Sequence, residues 1–223
     1  MLAGKGLLTP FQKAFLQVFT HLPDQVQFYL TGGTALAEFY LGHRISFDLD
    51  LFTSEEALIL PVSYQVEKLC PDYNMSVTVT RRFASYVEFL FSNGDEQLKV
   101  DLALDSPFRF QPPQLADVGI MVNDFQDIKV DKLLAYFGRA EPRDAIDLYF
   151  LMQQEPVQGL LELAAQKDTG FDQYWFAVAL NRAQSFPDEI ERWPVKMLLP
   201  CNPIHLKHVF QNLADDLMRK LTS

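Results

Sequence analysis

Tyr29-Leu30-Thr31-Gly32-Gly33-Thr34-Ala35-Leu36, followed fourteen residues after Thr34 by Asp48-Leu49-Asp50, is the stretch whose reading decides this chain. An apolar run stops at two glycines, a hydroxyl residue follows, and two carboxylates then stand at i and i+2. In an extended strand those carboxylates share one face, because side chains alternate with period two. Like charges side by side are costly unless something positive lies between them, and a divalent cation is the usual answer. The glycines allow a tight turn whose backbone N–H groups can point at a phosphate, with a helix N-terminus just behind. Metal next to phosphate reads as nucleotide chemistry.

The surrounding sequence is organised to support such a site. Thr9-Pro10 before FQKAFLQVFTHL reads as an N-cap, a proline in the first helical turn and an amphipathic helix. Gln27 to Leu30 is a short strand running into the glycines, and Thr34 to Leu41 a helix that Gly42 is placed to stop. Ser46 to Phe52 alternates, with Phe47, Leu49 and Leu51 on one face and Ser46, Asp48 and Asp50 on the other, as in a strand with one face in a core. A helix follows from Ser54 to about Pro71. Three β-rich runs come next, Met75–Arg82, Tyr86–Ser92 and Gln97–Leu104, with Asn93-Gly94 as a hairpin signal. Pro107 through Pro113 is a linker or long loop. Beyond it no convincing strand run remains, and 124–138, 142–154, 157–167, 171–183 and 204–221 all read as helices. The expected division is therefore 1–113, an α/β core, and 114–223, a helical portion.

The whole chain sets bounds on what this site can serve. Its 223 residues are enough for one large domain or two small ones, and 19 of them are Phe, so aromatic packing should dominate the core. Net charge is −10, shared as −5 through residue 110 and −5 beyond it. A protein that grips nucleic acid by its backbone usually carries a positive stripe, and here only local patches are available (Arg81, Arg82 and Arg109, or Arg139 and Arg143). Cys70 and Cys201 are far apart and form no metal-type pair, which suits a reducing compartment. No secretory signal and no apolar run of about 20 residues is evident, so the expectation is a cytoplasmic protein with no membrane partner.

Asp101, in Leu98-Lys99-Val100-Asp101-Leu102, shares a strand face with Lys99. A lone acid in a strand is as readily a solvated edge residue. Three acids on adjacent strands are different: two could hold Mg²⁺ while the third orients or deprotonates an attacking hydroxyl, as in two-metal phosphoryl and nucleotidyl transfer. A bare Gly-Gly is weak evidence, and it is the short spacing to Asp48 and Asp50 that gives it weight. Arg44, just before the acidic strand, either reaches a phosphate or pairs with Glu38 or Asp48. His205 and His208, at i and i+3, read as a surface or half-buried helix pair before a metal site, since no acids or cysteines stand near them.

The string GGTALAEFYLGHRISFDLDLF resembles the signature of the AbiEii/AbiGii-type nucleotidyltransferases, within the DNA polymerase β-like nucleotidyltransferase superfamily. The superfamily pattern maps onto Gly32, Gly33 and Thr34, then Asp48 and Asp50, then Asp101. A second string, DKLLAYFGRAEPRDAIDLYFL, resembles the family's later motif through Lys132, Arg139, Arg143, Asp144 and Asp147. Together the two cover roughly residues 28 to 152. The resemblance implies an α+β fold: a nucleotidyltransferase-like mixed β-sheet with flanking helices, followed by a C-terminal helical portion.

The resemblance also implies chemistry. Asp48, Asp50 and Asp101 would be catalytic and bind Mg²⁺ or Mn²⁺. Gly32, Gly33, Thr34, Arg44, Lys132, Asp144 and Asp147 would contact an NTP substrate, the Thr34 hydroxyl meeting a phosphate oxygen and Lys132 the leaving pyrophosphate. Lys132 reads equally as an exposed helix lysine, and Asp144 and Asp147, sharing a helix face, as partners for Lys132 or Arg139. The acceptor stays open between tRNA, protein and a small molecule. Family members include toxins, so a cognate antitoxin is an expected partner. Two rivals stand beside this reading: a catalytically silent module that binds a nucleotide or a partner, and an enzyme of the antibiotic-modifying kind.

Overall fold

The capping signal at Thr9 is realised in full. The Thr9 hydroxyl accepts from the Gln12 N–H at 3.1 Å, and the Gln12 side-chain oxygen accepts from the Thr9 N–H at 2.9 Å. Helix α1 (Pro10–Phe19) then presents Phe11, Phe15, Leu16, Val18 and Phe19 to the interior. Phe15 meets Phe91 at 4.8 Å between ring centroids, Phe89 lies 5.6 Å from Phe91, and Phe19 stands edge-on to Phe28 at 5.8 Å. The abundance of Phe in the sequence is spent here, where each ring removes a large apolar area from water and adds offset or edge contacts.

This structure, a computed structural model, describes residues 1–222. They form two compact units, Met1–Phe125 and Gln126 onward. The first unit is a seven-stranded mixed sheet with helices. After β1 (Tyr29–Thr31) the chain turns into α2 (Gly32–Ala35), which continues as a π-helical stretch over Leu36–Leu41 and stops at Gly42, φ 68°. Then come a two-residue strand β2 (Arg44–Ile45), β3 (Leu49–Thr53), α3 (Glu56–Leu69), and the meander β4 (Ser76–Phe83), β5 (Tyr86–Asn93) and β6 (Glu96–Leu104). The β5–β6 hairpin turns at Gly94, φ 61°, as Asn93-Gly94 signalled.

Strand order in the seven-stranded sheet is β4-β5-β6-β3-β1-β8-β7, where β7 is Gln114–Leu115 and β8 is Met121–Val122. Strand β3 runs parallel to β6 and antiparallel to β1, while β1 runs parallel to β8. Strands β5 and β6 alternate cleanly: Val87, Phe89, Phe91, Leu98, Val100 and Leu102 are buried, and the residues between them face the other way.

Two local readings of the sequence change. Beyond Pro113 strands do occur, and with them residues 114–125 join the first unit. Each of those strands is two residues long, too short for a period of two to register. Ser46 to Phe52 is not one strand either: β3 begins at Leu49, and Phe47 is 56% exposed instead of facing the core. The reason is visible in the carbonyls. The Gln12 side-chain amide donates to Ser46 O at 3.0 Å and the Thr34 hydroxyl donates to Asp48 O, which draws this approach segment toward α1 and α2 and away from a sheet ladder.

The second unit is helical: α4 (Phe125–Arg139) leads into α5 (Pro142–Met152), α6 (Val157–Lys167), α7 (Gln173–Asn181) and α8 (Pro203–Thr222). Helix α7 starts where the Asp172 side chain accepts from the Trp175 N–H at 3.0 Å, and it gives way to a 3₁₀ turn at Arg182, so it is shorter than its apolar pattern suggested. Tyr136, fully buried, stands edge-on to Phe210 at 5.2 Å and donates to the Ala179 carbonyl at 3.2 Å. Among the described residues no helix is long and apolar enough to cross a membrane.

Thr9→Ala removes the side-chain arm of the capping box, so we expect a loss of about 1 kcal/mol in urea unfolding with an unchanged slope.

Candidate active site

Gly32 is the residue that shapes the site. Its φ is 69°, in the region that L side chains rarely adopt, and a Cβ built there would fall 1.9 Å from Asp50 Oδ2. The Asp50 carboxylate therefore lies directly against the backbone of the turn. The β1–β3 register explains the placement, since Thr31, the N-cap of α2, is paired with Asp50. Gly33 is constrained from another side: a Cβ there would come within 2.6 Å of an Arg44 guanidinium nitrogen and 2.9 Å of Ser46 Oγ.

Asp50 and Asp101 are direct neighbours in the parallel β3–β6 register. Two acids predicted to lie on adjacent strands are thus side by side. Asp48 precedes the strand proper, and its backbone carbonyl is held by the Thr34 hydroxyl. Thr34 is 3% exposed, and its proton is committed to that carbonyl. Arg44 is also buried, at 5% exposure, with one guanidinium nitrogen donating to the Ile45 carbonyl at 3.2 Å. Glu38, one candidate partner for Arg44, instead accepts from the backbone N–H groups of Gly6, Leu7 and Leu8, tying the N-terminal segment to the π-helical stretch behind the turn.

Sequence reasoning placed Lys99 on the Asp101 face without giving it a role, and it passed over Glu88 and Tyr86. The Lys99 ammonium donates to Asp101 Oδ2 at 2.9 Å and lies 3.5 Å from Glu88 Oε2. Burial disfavours the Lys99 charge, but the hydrogen bond and charge of Asp101, with the charges of Asp48 and Glu88, outweigh it and hold the lysine above its ordinary pKa. Glu88, in register with Asp101 across β5–β6, is itself held below the usual carboxylate range, first by the Thr80 hydroxyl and also by that of Tyr86. Burial and then the Asp101 charge push the Tyr86 hydroxyl up. Glu88 was invisible because its strand signal is β-propensity, and register across a hairpin is what brings it to Asp101.

The carboxylates offer hard oxygen donors of the kind that magnesium and manganese take. Asp101 Oδ1 is buried and has no hydrogen-bond partner, an acceptor left open beside Asp50. That fits a cation at the Asp50–Asp101 pair. Among the described residues, however, no three His, Cys, Asp or Glu side chains converge closely enough to hold an ion. At the pair, Lys99 supplies positive charge to Asp101.

In the second unit, Lys132 is not an exposed helix lysine. Its side chain is 8% exposed and its ammonium lies 2.8 Å from the fully buried Asp147 carboxylate. Asp144, also fully buried, takes two hydrogen bonds from the Arg139 guanidinium, at 2.6 and 2.7 Å. Asp147 thus meets Lys132 and Asp144 meets Arg139, both cations of the preceding helix. The remaining arginines of the candidate basic patches also meet acids: Arg81 with Glu88, Arg82 with Glu67, Arg109 with Asp105 and Arg143 with Glu141. His205 meets the Tyr149 hydroxyl at 2.8 Å through Nδ1, as a helix-surface histidine does.

A mixed sheet whose Gly-Gly turn abuts a paired carboxylate row defines a nucleotidyltransferase-type fold. The match to known proteins is direct: residues 14–199 fit the family described as nucleotidyl transferase AbiEii toxin, Type IV TA system, and the chain belongs to that family. An uncharacterized protein of Aquifex aeolicus (strain VF5), aq_aa25, is 30% identical over 175 residues, covering 74% of this chain and 76% of its own. Among solved structures, JHP933 from Helicobacter pylori is similar with a TM-score of 0.61 at 16% identity, over 94% of this chain and 90% of that one. MenT4, the nucleotidyltransferase toxin Rv2826c from Mycobacterium tuberculosis H37Rv, gives a TM-score of 0.61 at 16% identity, over 93% and 82%. At such identities the likeness is one of fold.

Two outcomes follow from this geometry. Gly32→Ala forces a Cβ into the Asp50 carboxylate at a positive φ, so it should cost about 2 kcal/mol or more in denaturant unfolding, whereas Gly159→Ala, at a helix position with open space, should not destabilise. Asp147→Ala strands a buried ammonium and should cost about 3 kcal/mol, most of it recovered when Lys132→Met is added, which a double-mutant cycle reads directly.

Proposed function

We propose that the chain is a divalent-cation-dependent nucleotidyltransferase that moves a nucleoside monophosphate from an NTP to an acceptor hydroxyl, releasing pyrophosphate, in the setting of a toxin–antitoxin pair. The observation that carries the proposal is the in-register Asp50–Asp101 pair against the Gly32 backbone. Bound Mg²⁺ or Mn²⁺ would neutralise the reacting phosphate and the polyphosphate leaving group. Asp48, Asp50 and Asp101 are the residues that would hold it.

The chain's own groups then have distinct roles. The first N–H groups of the helix starting at Gly32 have no partner within that helix, which leaves them available to phosphate oxygens. Thr34, whose proton goes to the Asp48 carbonyl, acts by holding Asp48 in place, so the phosphate contact falls to the backbone of Gly32 and Gly33. Arg44 braces the turn from beneath Gly33 and adds positive potential to it. Asp101, with one carboxylate oxygen open, takes the proton of the attacking hydroxyl. In the second unit Asp147 fixes the Lys132 ammonium, and Asp144 holds the Arg139 guanidinium.

The acceptor is RNA, protein or a small molecule. The pairing of the candidate basic-patch arginines with acids disfavours a generic grip on a nucleic-acid backbone and favours an acceptor recognised locally. A cognate antitoxin protein is the expected macromolecular partner. A second reading has a specific observation behind it: among the described residues no third acid joins the pair in a metal-type cluster, and Lys99 already meets Asp101. On that reading the chain binds a nucleotide or a partner without catalysis.

Transfer from each of four α-³²P-labelled NTPs into a cell extract, with Mg²⁺, separates the two. Label that appears on RNA, protein or a small molecule and falls at least about a hundredfold in Asp48→Ala supports catalysis. No label from any NTP, with no Mg²⁺–NTP binding by calorimetry, overturns the transferase reading.

A further inference from the structure

We propose that Lys99 is a tethered cation: it occupies the Asp101 carboxylate while no divalent ion is bound, and it swings to Glu88 when the ion enters. This inference rests on the cation-dependent reading of the site. Its basis is a row of three acids across neighbouring strands, Glu88 on β5, Asp101 on β6 and Asp50 on β3, each in register with the next. Directly opposed like charges on one sheet face repel. A cation among them relieves that repulsion. Lys99, two residues before Asp101 on the same face, is the cation that the chain itself sets at Asp101, while Arg81 lies 3.8 Å from Glu88.

The geometry provides both ends of the movement. The ammonium sits 2.9 Å from Asp101 Oδ2, with Glu88 Oε2 only 3.5 Å away, so a small rotation of a four-carbon stem exchanges one partner for the other. Lys99 is 38% exposed, so the rotation gives up little packing, while Asp101 beneath it is 13% exposed. The receiving end is stationary: Glu88 accepts from the Thr80 hydroxyl at 2.6 Å and the Tyr86 hydroxyl at 3.1 Å. Asp101 Oδ1 is buried with no hydrogen-bond partner, so Lys99 satisfies only one of the two carboxylate oxygens. An ion held by Asp101 and Asp50 would lie beside the ammonium, and their repulsion drives Lys99 toward Glu88.

Mn²⁺ binding to the full chain, read by the electron paramagnetic resonance of the free ion without nucleotide, tests this. Lys99→Met removes the competitor and should tighten Mn²⁺ binding about fivefold, the scale of one partly exposed ion pair. Lys99→Arg keeps the charge and should bind as the wild type does, and circular dichroism checks that both variants are folded. Adding Asp101→Asn to Lys99→Met should erase the gain, which places it at that carboxylate. Equal or weaker Mn²⁺ binding by folded Lys99→Met overturns the Lys99 inference while leaving the cation reading intact. No Mn²⁺ binding by the wild type or by Lys99→Met overturns both.

Discussion

The Asp50 carboxylate occupies the space where a side chain at residue 32 would have to stand, and the local architecture is arranged around that exclusion. Because Gly32 has no Cβ and takes a positive φ, β1 can break into α2 at the position where Thr31 is paired with Asp50. The strand that carries Asp50 is antiparallel to β1 and parallel to β6, so the same register that brings Asp50 to the turn brings Asp101 to Asp50. A single close approach thus couples an anion-seeking backbone turn to a row of carboxylates. Gly33 repeats the device on the adjoining side, where Arg44 and Ser46 lie against it. Hydrogen bonds from Thr34 to the Asp48 carbonyl and from Gln12 to the Ser46 carbonyl hold the approach segment, so the acids arrive from a braced loop.

Much of this was legible from spacing alone. Gly32-Gly33, the Asp48–Asp50 pair and the alternation through Asp101 are short-range signals, and the strand-to-helix turn and the meander after Met75 are where they were expected. What could not be read depends on register or on burial. Glu88 looks like an ordinary strand acid until the β5–β6 hairpin sets it opposite Asp101. Lys132 looks like a surface lysine until its helix packs and Asp147 is found within 2.8 Å. Phe47 was misplaced because the alternation from Ser46 to Phe52 continues through a segment whose carbonyls are taken by side chains. Strands of two residues, such as β7 and β8, carry too little sequence for any periodicity to show.

Charge is handled differently in the two units. In the first, acids are gathered on one sheet face, where Lys99 stands between Asp101 and Glu88 and Arg81 lies 3.8 Å from Glu88. In the second, acids are sealed: Asp127, Asp144 and Asp147 are all fully buried, and each has a basic partner in Lys167, Arg139 or Lys132. Where the cation is buried as well, as at Lys132–Asp147 and Lys167–Asp127, the pair contributes little net stability, because desolvation of both charges offsets most of their attraction.

Their physical effect is on register. Lys132 and Arg139 lie two turns apart on α4, and their acceptors on α5, Asp147 and Asp144, come in the reverse order along the chain. Sliding α4 by one turn against α5 would separate both pairs at once and leave two fully buried carboxylates without their cations, so the offset of the two helices is narrowly specified. An ammonium held in that way has one orientation, since Asp147 takes one of its protons and the packing of α4 fixes its stem. Lys132 is therefore a directed charge with little freedom to follow a ligand, in contrast to Lys99, whose side chain is 38% exposed and stands between two acceptors. Fixed charge suits a group that must be met in one place, and movable charge suits a carboxylate that must be balanced both before and after an ion arrives.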